Sequence, residues 1–156
     1  HIVHSYIGAL FSGNWGKAPN AKDIKLIELG TDNYAIKVKT SFATMGWGSN
    51  YVNILLPQGK MIYTVFALQT WNNNSGVGEG KKTDWETSLT FDARCKNLLA
   101  DIVTIQKGWE KDKKVFNQTR YVYSPVFYRY VSNEDAKELI KEDKRAKLLK
   151  NDNLLI

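Results

Sequence analysis

The segment "YAIKVKTSF", residues 34–42, alternates apolar and polar side chains with a period of two. Tyr34, Ile36, Val38, Thr40 and Phe42 fall on one side; Lys37, Lys39 and Ser41 fall on the other. A helix would scatter these residues around its circumference, whereas a strand with one buried and one solvated face sorts them cleanly. Related patterns run through "IVHSYIGALF" (2–11), "DIKLIEL" (23–29), "YVNILL" (51–56) and "WETSLTF" (85–91). Turn-forming stretches such as "GTDN" (30–33), "MGWGSN" (45–50) and "PQGK" (57–60) separate several of them. "KMIYTVFALQTW" (60–71) is apolar on both faces and reads as a central strand. "NNNSGVGEGKKTD" (72–84) reads as a long flexible loop.

Two segments break the period. Behind Asp92 as a cap, Cys95, Leu98, Leu99 and Ile102 recur at helical spacing, which predicts a helix near 92–107 ended by Gly108. "IVTIQ" is rich in β-branched residues and supports a competing strand from residue 102. Residues 133–150 predict a surface helix. Ser132 and Asp135 have capping-box spacing, acidic residues fill the first turn, and opposite charges recur at i,i+3 and i,i+4.

These elements predict an α+β fold that is mainly antiparallel β: a sandwich or open barrel of about eight strands, with one internal helix and a C-terminal surface helix. At 156 residues the chain suits one domain. Residues 1–131 would form its β-rich body, with 132–156 packed on it as helix and tail. "GNW" at 13–15 resembles the G-x-W that opens lipocalin barrels, and "TDNYA" at 31–35 is similar to their T-D-Y segment. A final helix after the strands is also similar to that family. The spacing departs from the family's, whose second motif comes far later in the chain.

Charge and reactive residues narrow the chemistry. The net charge of +6 favours acidic partners, but the excess is spread over residues 1–70 and 107–131 and serves solubility equally well. One cysteine, Cys95, allows no intrachain disulfide and reads as a small buried hydrophobe. His1 and His4 are the only histidines, so a histidine-rich metal centre or a histidine-based triad has little to be built from. No metal and no cofactor are expected. "GVGEGKK" lacks the glycine spacing of a phosphate loop and precedes a strand. Glu79, Asp84 and Glu86 are the remaining candidates for acid–base work.

The aromatic residues carry the functional expectation. Trp15, Trp47, Trp71, Trp85 and Trp109 fall at strand ends or in loops, where broad side chains serve either as contact platforms or as core plugs. In "MGWGSNY", Gly46 and Gly48 would let the backbone approach a ligand closely. "RYVYSPVFYRY" (120–130) interleaves tyrosines with arginines that could stack bases and pair phosphates. Pro125 makes it an edge strand, a bulge or two short strands, so at most about half of its rings share an exposed face.

The expected binding residues are Trp47, Tyr51, Trp71, Trp85, Arg120, Tyr121, Tyr123, Tyr128 and Arg129. The expected function is a non-enzymatic binding or protein-interaction module within a larger envelope, secretion or phage assembly. A protein is the favoured partner, with nucleic acid as a variant. The alternatives are a small-ligand or carbohydrate-binding barrel with a tryptophan platform, and a carboxylate-dependent hydrolase or nuclease using Asp84 and Glu86. A chain starting at His1 rather than Met suggests a removed N-terminal signal or anchor, hence an extracytoplasmic location.

Overall fold

The computed structural model describes residues 20–77, 80–93 and 99–142. After a 3-10 turn at Ala21–Asp23, eight strands follow in order: β1 (Ile24–Gly30), β2 (Asn33–Thr44), β3 (Trp47–Gln58), β4 (Met61–Asn73), β5 (Asp84–Asp92), β6 (Asp101–Glu110), β7 (Lys113–Ser124) and β8 (Arg129–Ser132). One helix, α1 (Asn133–Glu142), comes last. Each strand pairs antiparallel with its predecessor, giving a single eight-stranded meander. Among the described residues β1 and β8 are its edges and do not pair with each other, so the sheet stays open. Mainly antiparallel β is thus correct; among the described residues the sheet does not close into a barrel.

The internal helix is also corrected. From Asp101 onward the chain is a strand, as the β-branched run Ile102-Val103-Thr104-Ile105 favours. Ile102 and Thr104 are both buried and alternate as strand neighbours. Residues 94–98, with Cys95, lie outside the described residues, as do the strand expected at 2–11, Trp15, both histidines and the chain beyond 142. At the C-terminal helix the expected cap is present. The Asp135 backbone N–H donates to Ser132 Oγ at 3.0 Å, and the Ser132 N–H reaches back to Asp135 Oδ2 at 3.4 Å.

Local chemistry sets the hairpins. Met45 and Gly46 both take positive φ, as a two-residue hairpin turn requires. Lys111 and Asp112 do the same without a glycine, which costs about 1–2 kcal/mol per residue. Their neighbours offset that strain. Asp112 Oδ1 accepts from the Lys82 N–H at 2.8 Å, and the Asp112 N–H donates to the Lys82 carbonyl at 2.9 Å. The stretch expected to be a flexible loop is therefore bonded into the fold. Asn74 fastens it from the other side, donating to the Lys81 carbonyl and accepting from the Thr83 N–H.

The sheet forks in its middle. β4 and β5 pair at only three positions, Trp71 with Glu86, Asn72 with Trp85 and Asn73 with Asp84. Past that point the two strands part, and the halves β1–β4 and β5–β8 close over a shared core. Val52, Ile54, Leu56 and Phe66 come from one half, and Ile102 and Tyr130 from the other. Phe66 sits edge-on to Tyr121 and to Tyr130, with ring centroids 5.0 and 6.0 Å apart. Gln58 Nε2 donates to Tyr123 Oη at 2.6 Å, and the Ala100 N–H donates to the Leu29 carbonyl. The doubly buried strand is β3, where Val52 to Leu56 are all buried, rather than the 60–71 run. In β4 the adjacent buried pair Val65 and Phe66 marks a bulge, since Ile54 faces Phe66 while Leu55 faces Thr64.

Candidate binding surface

The structure separates the expected site residues into three settings. In the first, the side chain is consumed by the fold. Tyr121 and Tyr123 pack against the core. Burial pushes both phenols above the ordinary tyrosine value. The nearby Asp135 carboxylate adds to the shift at Tyr121, and the Gln58 hydrogen bond opposes it at Tyr123. Trp85 is 8% exposed and its indole N–H has no hydrogen-bond partner among the described residues. The Arg120 guanidinium reaches Asp101 Oδ2 at 2.8 Å and Asp92 Oδ2 at 3.1 Å, with the Asp101 side chain 3% exposed. It neutralises a buried carboxylate of the same domain. Of the 120–130 stretch, Pro125, Tyr128 and Arg129 are exposed, as is about half of the ion-paired Arg120 side chain. Tyr128 lies in the turn between β7 and β8, with positive φ. Arg129 borders a groove of about 500 Å³ between β4, β8 and α1.

The second setting is the β2–β3 hairpin. Thr40 faces Tyr51, Phe42 faces Ser49 and Thr44 faces Trp47. Those pairings put Phe42, Trp47 and Tyr51 on one face, with Phe42 diagonal to both of the others. Met45 occupies the tip. The four side chains are between 39% and 92% exposed. A polar chain borders them: Gln69 Nε2 donates to Ser49 Oγ at 3.0 Å, and Ser49 Oγ to Asn72 Oδ1 at 3.5 Å. The tip is held against the loop after β4. The Gly76 N–H donates to the Gly46 carbonyl at 3.2 Å, and a Cβ on Gly46 would lie 2.3 Å from the Gly76 carbonyl carbon. The close approach expected at Gly46 is therefore made to the protein's own chain.

Gly48 is likewise covered from within. It lies on the opposite face, against the edge of the Trp71 ring; a Cβ there would sit 2.5 Å from Trp71 Cζ3 and 2.6 Å from Cη2. Trp71 forms the third setting, a cleft of about 350 Å³ at the fork, shared with Asn50, Thr70, Glu86, Thr87 and Ser88.

The sequence reading missed Phe42 and Met45. Phe42 was grouped with the buried face of β2, and that face is buried only in its middle, at Val38 and Thr40. The available signal was position, because Phe42 stands three residues from the turn and outruns the neighbouring cover. Among the described residues no group of three histidine, cysteine or acidic side chains is placed to hold a metal, and no helix is long and apolar enough to cross a membrane. Asp84 and Glu86 sit on alternate positions of β5, while Glu79 lies outside the described residues. No protein-family model, curated protein or solved structure matches the chain.

Proposed function

We propose that this protein is a non-enzymatic interaction module that docks a protein partner on the β2–β3 hairpin, as one component of a larger extracytoplasmic assembly. The observation that carries this reading is the contiguous exposed cluster of Phe42, Met45, Trp47 and Tyr51. Aromatic residues and methionine are enriched at the centres of protein interfaces. A cluster of them left partly in water marks an interaction surface. The hairpin is anchored through Gly46 and Gly76, so little ordering entropy is lost on docking. The polar chain through Gln69, Ser49 and Asn72 supplies a rim able to bond partner groups.

Site-specific photo-cross-linking tests this. A cross-linker at Met45 is expected to trap a discrete partner in native extract, and Trp47→Ala in the same chain is expected to abolish the adduct. A cross-linker at the exposed Phe116 on β7 serves as the control. Equal labelling from both positions, or an adduct indifferent to Trp47→Ala, would remove the hairpin as the docking site.

A further inference from the structure

We infer that the fork between β4 and β5 is a subsite for a neutral pyranose ring, independent of the hairpin surface and on the opposite face of β3. The argument starts with Trp71. Asn50 faces Trp71 while Tyr51 faces Gln69, so Thr70 is an extra residue bulged out of β4. A bulge re-aims the side chain beside it, and here the far edge of the indole comes to lie against Gly48. The Cζ3–Cη2 edge of the ring is seated against glycine backbone, and the ring borders the cleft. The platform is therefore fixed before any ligand arrives, which lowers the entropic cost of stacking.

The rest of the lining matches a sugar. Asn50 supplies an amide, Thr70, Thr87 and Ser88 supply hydroxyls, and Glu86 supplies a carboxylate able to accept two hydrogen bonds. A pyranose presents a C–H face to an aromatic ring and hydroxyls around its rim. An aromatic wall beside a few converging polar groups satisfies both at once. No lysine or arginine lines the cleft, and the cross-strand Lys107 lies toward the Phe116 ring, so a sugar seated on Trp71 meets the Glu86 carboxylate first, which disfavours an anionic ring there. The volume, about 350 Å³, lies at the small end of the range for ligand sites.

The same cross-strand row extends the site. Glu86 faces Lys107, and Lys107 faces Phe116. The Lys107 ammonium lies 5.8 Å from the Phe116 ring centroid. Trp71 and Phe116 are three strands apart, roughly 14 Å at about 4.8 Å per strand. A polar strip separates the two aromatic platforms. The ligand that fits is a short neutral oligosaccharide laid across the strands, with one ring on Trp71.

The test is an NMR titration of the ¹⁵N-labelled protein, following tryptophan indole and backbone signals, with cello-, chito-, malto- and manno-oligosaccharides. Polygalacturonate serves as the acidic comparison. A saturable shift of the Trp71 indole and of Glu86 to Ser88 is expected with at least one neutral series and not with polygalacturonate. Trp71→Ala is expected to weaken that binding at least about tenfold, the size of one lost stacking contact. Glu86→Gln, at an exposed position where folding is not at stake, is expected to weaken it several-fold. Trp47→Ala is expected to leave it unchanged, so failure here and failure of the hairpin reading are separable. The proposal is overturned if no neutral series shifts Trp71 saturably, or if binding survives both Trp71→Ala and Glu86→Gln.

Discussion

The β7–β8 corner and the β2–β3 hairpin are built from similar residues and end in opposite environments. At the corner, Tyr121, Tyr123 and Tyr130 turn inward against Phe66 and one another. Their hydroxyls are bonded inside the fold, with Tyr130 Oη donating to the Ala100 carbonyl at 2.8 Å. At the hairpin, Phe42, Trp47 and Tyr51 stand in solvent. Both regions are antiparallel pairs with aromatic rings on alternate positions. The difference is what lies across from them. The corner sits over β4, because the sheet folds at the fork and brings its two halves together. The hairpin lies at the fork end, where β4 and β5 are still laddered side by side. An aromatic strand is core or contact surface according to where the sheet bends.

Mutations at the two sites should therefore separate sharply. Phe66→Ala is expected to cost about 3–5 kcal/mol, the range for emptying a buried phenylalanine site, read as a lower urea midpoint at unchanged slope. Phe42→Ala at the hairpin should not approach that figure. Equal losses would mean the hairpin is packed in solution, and the contrast would fail.

Arg120→Met comes next, at about 1–3 kcal/mol, because it withdraws a cation from the buried Asp101 carboxylate. The cost stays below that of a fully buried pair because the Arg120 side chain is half exposed. Adding Asp101→Asn should recover part of it. A double variant no more stable than the single would show that the carboxylate is compensated by other groups.

Tyr130→Phe is expected to cost about 1–2 kcal/mol, since the Ala100 carbonyl loses its donor. The same tyrosines set an alkaline limit. Burial raises the phenols of Tyr121, Tyr123 and Tyr130 above the ordinary value of 10.0, so the folded state favours their neutral form. That contribution to stability is complete below pH 10 and is lost progressively as the pH rises above it. Tyrosinate absorbance and circular dichroism followed together should report ionisation of these rings with unfolding. Ionisation without loss of structure would place them in water. Smallest of all, Trp47→Ala is expected to change stability by less than about 0.5 kcal/mol, and its effect should appear in partner binding instead.

Much of the local structure was legible in the chain. The alternation in 34–42 and 85–91 marks β2 and β5, Ser132 and Asp135 mark the start of α1, and Pro125 marks the break between β7 and β8. The errors have particular causes. Leu99 and Ile102 fall at helical spacing, yet both are buried because the chain enters β6 between them. The Lys111–Asp112 hairpin carries no glycine or asparagine to announce it; bonds from Thr83 and Lys82, remote in sequence, hold it in place.

The sequence by itself determined that the chain is mainly antiparallel β and where most of its strands and turns fall, because the side-chain period is a property of each strand alone. It also determined that histidine and cysteine chemistry has almost nothing to work with. Only the tertiary structure decided that the sheet remains open and forks between β4 and β5. That single bend decided which aromatics are spent on the core and which remain exposed, since burial depends on the strand lying opposite rather than on the residue.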